Sequence, residues 1–319
     1  MTLTVGITGG AGYIGSKLTG QLLDDGIAVR VIDNFSSSSR DTLSGLDVDV
    51  IEGSILDKED MALFLDGVDF VYDLAGVASV PECERRPLES FEVNAYARYV
   101  VLEAIRENPI RGYVFASSVG AIYGDPDYLP VDEDHPVKTH NVYGISKRTS
   151  ELFIAAYHRK WGLPLTIVRQ SNIFGDSPGL RFDSVVHIFL QRALSGDKLT
   201  LYGSGDQVRN FIHIDDLLRG YRALIDAPES SGKVLNLAST DFTISELAQT
   251  IIDITKELTG IEVGIEFAPE EHRSQSRDLK VSIERARDLI GFEPRIDLRS
   301  GLELTADYIY KILSQVESR

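Results

Sequence analysis

Apolar positions in the first half of the chain follow two alternating rhythms. Compact runs rich in valine, isoleucine and phenylalanine at residues 3–8, 27–32, 48–52, 69–74, 112–117 and 164–168 have the length and β-branched character of strands. Between them, residues 13–23, 88–106 and 143–161 repeat apolar positions at three- and four-residue intervals, the period of an amphipathic helix. Strand and helix in alternation predict a parallel sheet with helices on both faces. Beyond Arg169 the rhythm loosens. Longer loops are expected at 176–181 and 269–276, helices at 244–258 and 298–313, and a strand at 233–237 that returns to the main sheet. The pattern predicts an α/β chain: a Rossmann-type doubly wound parallel sheet with a smaller C-terminal lobe made of more than one segment.

Composition narrows the partners. The 319 residues are 43% hydrophobic and 25% charged, an ordinary globular balance. With 32 basic and 49 acidic side chains the net charge is −17, which argues against nucleic acid or an anionic membrane as partner. A phosphorylated small substrate stays compatible, since a few arginines or a helix N-terminus hold phosphate locally. No apolar run approaches the roughly 18 residues of a membrane span. Met1-Thr2-Leu3 leads straight into a strand without a basic leader, so a cytoplasmic location is expected. Cys83 is the only cysteine, which leaves no intrachain disulfide and no cysteine metal cluster; no metal is expected.

The turn after the first strand gives the sheet a ligand. Thr8-Gly9-Gly10-Ala11-Gly12-Tyr13-Ile14-Gly15 sets glycines at 9, 12 and 15 between a strand and a helix, the setting of a dinucleotide-binding turn. Gly9 permits the tight turn, Gly12 lets backbone approach a pyrophosphate, and Gly15 permits close helix–sheet packing. Asp33 closes the second strand 18 residues after Gly15. A carboxylate there accepts from the adenosine ribose hydroxyls and repels a 2′-phosphate, which favours NAD over NADP. Arg40 in the same loop works against that discrimination. Residues 1–168 plus about 211–237 are expected to form this NAD-binding domain, and about 169–210 with 238–319 the substrate lobe.

Tyr143-Gly144-Ile145-Ser146-Lys147 carries the chemistry. A spacing of four puts both side chains on one helical face. A free tyrosine has a pKa of about 10, so a base near neutrality needs positive charge beside it, which Lys147 and a nicotinium ring are expected to supply.

With these residues in place, the chain resembles the extended short-chain dehydrogenase/reductase family, specifically its NAD-dependent nucleotide-sugar epimerases and dehydratases, and looks most like UDP-glucose 4-epimerase-like members. The resemblance runs nearly end to end. It takes in Thr8 to Gly15, Asp33-Asn34, Asp73-Leu74-Ala75-Gly76, Ser79-Val80-Pro81, Val93-Asn94, Ser117-Ser118 through Ile122-Tyr123-Gly124, and Tyr143 with Lys147. Arg169 with Asn172, Tyr202-Gly203-x-Gly205, Arg209-Asn210-Phe211, Asp215-Asp216 and Gly291-Phe292-x-Pro294 come after them in order.

The resemblance implies NAD contacts from Gly9, Gly12, Tyr13, Ile14, Gly15, Asp33, Asn34, Ser54, Ile55, Leu74, Ala75, Gly76, Asn94, Ser117, Tyr143 and Lys147. It implies a third catalytic hydroxyl after the fifth strand, Ser118 or alternatively Ser117. Substrate contacts are implied for Ser118 and Tyr143 at the sugar, for Asn172 and Arg209 at the diphosphate, and for a second arginine, Arg273 or Arg277. Family dehydratases carry an Asp-Glu pair after the hydroxyl, and decarboxylases a glutamate. Here Val119-Gly120-Ala121 has no titratable group, which leaves C4 epimerisation of a UDP-hexose through a transient 4-keto sugar. A dehydratase, a reductase, an epimerase at another carbon and a non-catalytic nucleotide sensor are the alternatives. Leu279 aligns near the wall at the sugar's C2, where an aliphatic residue admits N-acetyl groups. Three departures stand out: Ser54 where relatives have aspartate at the adenine, His140-Asn141-Val142 before the tyrosine, and Asp73 where many have histidine. A homodimer through helices 88–106 and 143–161 is implied, with Val100, Val101 and Leu152 available to it.

Overall fold

The computed structural model describes residues 3–269 and 278–317. Each strand expected in the first half forms within two residues of its predicted ends. The elements run β1 (Thr4–Thr8), α1 (Tyr13–Asp24), β2 (Ala28–Asp33), β3 (Asp49–Glu52), α2 (Lys58–Leu65), β4 (Phe70–Asp73), α3 (Val80–Arg85), α4 (Pro87–Phe91), α5 (Ala97–Glu107), β5 (Gly112–Ser118), α6 (Val119–Tyr123), α7 (Val142–Trp161) and β6 (Leu165–Gln170). After these come β7 (Asn172–Phe174), α8 (Val185–Leu194), β8 (Leu199–Tyr202), β9 (Val208–His213), α9 (Ile214–Leu224), β10 (Val234–Leu237), β11 (Thr240–Thr243), α10 (Ile244–Thr259), β12 (Ile265–Ala268), α11 (Glu284–Ile290) and α12 (Leu298–Glu317).

Seven strands pair in parallel in the order β10-β6-β5-β4-β1-β2-β3. The chain winds outward from β1 through β2 to β3, then crosses to β4 and winds the other way. The crevice at the carboxyl ends of β1 and β4 is therefore the topological switch point, where ligands bind in sheets of this kind. Val5, Ile7, Leu18, Leu22, Tyr72 and Leu217 fill one face of the sheet. Phe64, Val71, Val101, Ile105, Phe115 and Ile167 fill the other. Burying each such side chain stabilises the fold by roughly 1.5–3 kcal/mol. The remaining strands form a three-stranded sheet, β11-β9-β7, and a parallel pair, β12 with β8. Their core gathers Phe174, Leu190, Leu199, Leu247, Ile251 and Leu302 between α8, α10 and α12.

Residues 88–106 do not form the single helix that their periodicity predicts. Between α4 and α5 the chain makes a π-turn over Glu92–Tyr96. The reason is tertiary. Asn94 turns inward, where its Nδ2 donates to Val77 O at 2.9 Å and its Oδ1 accepts from Val77 N at 2.8 Å. Its own carbonyl accepts from Ser150 Oγ at 2.5 Å. An extra residue in the turn lets one side chain reach the backbone of the segment after β4. Val100 and Val101 lie in the subunit core at 2% and 0% exposure, so they are not free for a partner subunit; Leu152 is exposed.

Candidate active site

The glycine turn is built by close contacts. Gly9 adopts a left-handed conformation (φ 66°), and a Cβ there would stand 2.9 Å from Ala75 Cα across the switch point. A Cβ on Gly15 would meet Gly9 O at 2.3 Å, so α1 packs against the turn only because that position is bare. Gly12 is the N-cap of α1, no side chain caps this end, and no acid lies in the first turn. Uncapped amides and the positive end of the helix dipole suit an anion. Tyr13 and Ile14 occupy this first turn, both half-buried. Tyr13 Oη donates to Gly175 O at 2.9 Å, and Gly179 lies so near the Gly12–Tyr13 peptide that a Cβ would fall 2.6 Å from Gly12 O.

Asp33 ends β2, where one carboxylate oxygen accepts from Ala11 N at 3.0 Å and the other from Phe35 N at 2.8 Å and Ser38 Oγ at 3.1 Å. The exposed Asn34 comes next, its Oδ1 accepting from Ser36 N. Arg40 pairs with Glu52, and its guanidinium lies 4.9 Å from the centre of the Phe35 ring. Both contacts draw it away from a phosphate-binding role. Ser54 Oγ accepts from Leu56 N at 3.2 Å, and its own amide donates to Asp60 Oδ2 at 2.8 Å, which sets a carboxylate at this corner after all. Ile55 is buried beside it. Leu74 and Ala75 donate from their amides to Thr8 Oγ1 at 3.1 Å each. Gly76 is open, and a Cβ on it would stand 2.8 Å from Asn94 Oδ1 and 3.6 Å from Lys147 Nζ. The loop after β4, the π-turn and α7 thus converge at one point.

On α7, Asn141 caps the N-terminus by accepting from Gly144 N at 2.8 Å, and Gly162 ends the helix in the left-handed region. Gly144 is required by contact, since a Cβ would lie 2.4 Å from Ala121 O. That closeness brings α6, and Ser118 at its N-cap, against the tyrosine one residue earlier. Ser118 lies near enough to Tyr143 to favour its phenolate, and its Oγ accepts weakly from Ala121 N at 3.4 Å. Ser117 points the other way. It is 1% exposed and donates to Glu151 Oε1 at 2.7 Å, inside a buried network in which Arg169 grips Glu151 through two hydrogen bonds of 2.9 Å.

Burial moves Tyr143 and Lys147 oppositely. Desolvation, with the neighbouring Cys83 thiol as a smaller cause, pushes Tyr143 up to about 12, against a lowering hydrogen bond from Ser118. Desolvation, with Arg98 as the next cause, brings Lys147 down to about 8. Lys147 Nζ donates to Ala116 O at 2.8 Å and lies 5.9 Å from the centre of the Tyr143 ring. In the protein alone the loss of water dominates Tyr143, and Lys147, 5.9 Å from the ring centre, is not among the groups that shift it.

Asn172 and Arg209 lie on adjacent strands, β7 and β9, at the rim of the second lobe. The exposed Asn172 donates from Nδ2 to Asn210 O at 2.8 Å, and half-buried Arg209 donates from Nη1 to Val208 O at 2.8 Å. Arg273 and Arg277 lie outside the described residues. Leu279 is buried with Val119, Ile122 and Val131 beneath α6. Asp176, His213 and Asp215 approach as a metal site would. Lys17 Nζ already lies 2.9 Å from Asp176 and 2.8 Å from Asp215, so its ammonium balances these carboxylates. The role of the Thr8 hydroxyl and the place of Gly179 carry no mark in the sequence. A threonine at a strand end and a Pro-Gly step in a loop give no signal of what they touch.

A family described as the NAD dependent epimerase/dehydratase family matches residues 5–238. UDP-glucuronic acid decarboxylase 1 of Danio rerio is 32% identical over 317 residues, spanning 96% of this chain and 72% of that protein. UDP-glucose 4-epimerase of Corynebacterium glutamicum is 31% identical over 312 residues, spanning 93% of each. The crystal structure of UDP-glucose 4-epimerase from Thermotoga maritima with UDP-glucose is similar at a TM-score of 0.90 and 29% identity, spanning 98% of this chain and 100% of that one.

Proposed function

The chain belongs to the NAD dependent epimerase/dehydratase family, an enzyme family acting on nucleotide-sugars, and from that premise we propose that it inverts C4 of a UDP-hexose. The C4 reading is carried by the segment directly after Ser118. Val119, Gly120 and Ala121 bring no acid or base to Tyr143, so water elimination and decarboxylation lack the groups that the family resemblance assigns to them. Proton transfer at a single carbinol needs only Ser118, Tyr143 and Lys147.

The residues fit NAD. Gly9, Gly12, Tyr13, Ile14 and Gly15 offer a bare turn and an uncapped helix end for the diphosphate, Asp33 and Asn34 a polar edge for the ribose, Ser54 and Ile55 an adenine corner. Leu74, Ala75, Gly76, Asn94 and Lys147 line the reacting end. Bound NAD supplies a hydride acceptor that returns the hydride to the same carbon. Tyr143 Oη takes the proton of the sugar's 4-hydroxyl and later gives it back, with Ser118 Oγ bridging. Lys147 contributes the nearest ammonium and holds the ribose hydroxyls. Asn172 and Arg209 grip the sugar's diphosphate, Arg209 with a fork suited to paired phosphate oxygens. That grip is the pivot about which a 4-keto sugar presents its other face.

The test is a panel of UDP-, dTDP-, GDP- and ADP-sugars, products resolved by NMR. Equilibration of a UDP-hexose with its C4 epimer is expected. Failure to convert any sugar at C4 overturns the proposal. The likeness to a decarboxylase puts UDP-glucuronic acid in the panel, where release of carbon dioxide would mark the second reading.

A further inference from the structure

Beneath Lys147 lies a buried ion pair for which the proposed reaction has no use. Asp73, at the end of β4, is 0% exposed, and its carboxylate meets Thr8 Oγ1 at 2.7 Å, Tyr113 Oη at 2.5 Å and Arg98 Nη1 at 2.5 Å. Arg98, on α5, is equally buried. None of its three guanidinium nitrogens finds an aligned hydrogen bond among the described residues, so its hold on Asp73 is that of charge. Its Cζ lies 5.5 Å from the centre of the Phe115 ring, and Lys147 Nζ lies 4.8 Å from the same ring. Two buried cations thus lie beside one aromatic ring, and a buried carboxylate is paired with the first of them. A buried arginine with no counter-charge is strongly destabilising, and in low dielectric its field reaches its neighbours.

We propose that Asp73 and Arg98 are positioning residues for the reaction: Asp73 neutralises Arg98 beneath the site, and that balance keeps Lys147 an ammonium beside Tyr143. This rests on the reading of Tyr143 and Lys147 as the proton-transfer pair. The groups facing Lys147 are Arg98 from α5, Asp73 from β4, Cys83 from α3, and Glu151 and Tyr143 from α7 itself. Arg98 lowers its proton affinity, while Asp73, Cys83 and Glu151 raise it. Burial raises the Cys83 thiol, which keeps it uncharged near neutrality, and Glu151 is taken up by Arg169 and Arg148. Asp73 is thus the anion set against Arg98. Through Thr8 Oγ1 it also steadies the amides of Leu74 and Ala75, the second of which faces Gly9.

The test tracks Lys147 directly, in the NAD-loaded full chain carrying carbon-13 lysine, by NMR titration. Its resonance is identified by its absence from Lys147→Arg. Asp73→Asn leaves Arg98 unopposed and is expected to lower the Lys147 titration by about one pH unit; Arg98→Met is expected to raise it by a similar amount. The double variant Asp73→Asn/Arg98→Met returns near wild type, and the alkaline limb of kcat/KM moves with each. A purely packing role predicts lost stability with an unmoved titration. If Asp73→Asn does not fold, Arg98→Met against the double variant carries the same comparison. Titrations that coincide across the variants, or move the same way in both single variants, overturn the proposal. The NMR readout does not depend on turnover, so it fails or succeeds separately from the epimerase reading.

Discussion

Tyr143 and Lys147 stand one helical turn apart, and burial separates their proton affinities instead of matching them. With Tyr143 at about 12, the cofactor-free protein holds a neutral phenol at any ordinary pH. Oxidised NAD carries a positive ring and the reduced form does not, so tyrosinate absorbance, referenced to Tyr143→Phe, is expected to appear at lower pH with NAD⁺ but not with NADH. A titration blind to oxidation state would assign the activation to another charge. Tyr143→Phe is expected to lower kcat by roughly 10²–10⁴ while leaving NAD bound. Lys147 gives a stability signature of known sign. Its folded pKa of about 8 lies below the ordinary 10.5, so the unfolded chain binds more protons between these values. Wild type should therefore gain stability relative to Lys147→Met as pH rises through that window, measured by chemical denaturation. The Tyr–Lys spacing was legible because helical period alone puts the two together. The choice between Ser117 and Ser118 was not. Alternation along a strand says that one faces in and one out, and it is the hydrogen bond of Ser117 to the distant Glu151 that turns that hydroxyl away from Tyr143.

At the scale of elements, two backbone devices hold the site. Asn94→Ala removes both hydrogen bonds that tie the π-turn to the half-buried Val77 backbone, each worth about 0.5–1.5 kcal/mol. The variant is expected to melt lower and to bind NAD more weakly, read by scanning calorimetry with and without cofactor. Gly144→Ala drives a methyl into Ala121 O and should push α6 off α7, lowering kcat with little change in NAD affinity. Strands and long helices were readable from period. The π-turn was not, because every residue in Glu92–Tyr96 is compatible with an α-helix, and what opens the turn is Val77, far away in sequence.

For the whole molecule, the exposed apolar residues Leu88, Phe91, Tyr96, Ile145, Leu152 and Phe153 on α4, the π-turn and α7 support the homodimer expected from the resemblance. Light scattering should give twice the chain mass, and Leu152→Asp should give the single mass with its fold kept. A dimer unchanged by that charge would place the interface elsewhere. The parallel sheet and the return of β10 to it were legible in strand–helix alternation, whereas the strand order and the seam between the two lobes were not. Tyr13 with Gly175, Ser177 with Tyr13 O at 2.6 Å, Lys17 with Asp176, and Gly179 against Gly12 join α1 to a loop some 160 residues away, with no local pattern to announce it. That seam has a kinetic meaning. A ligand seated on the first turn of α1 borders these contacts, and its residence time is expected to follow the frequency with which they part together more than its own bonds. A dinucleotide held this way behaves as a component of the fold, and a washed, gel-filtered sample should still carry it.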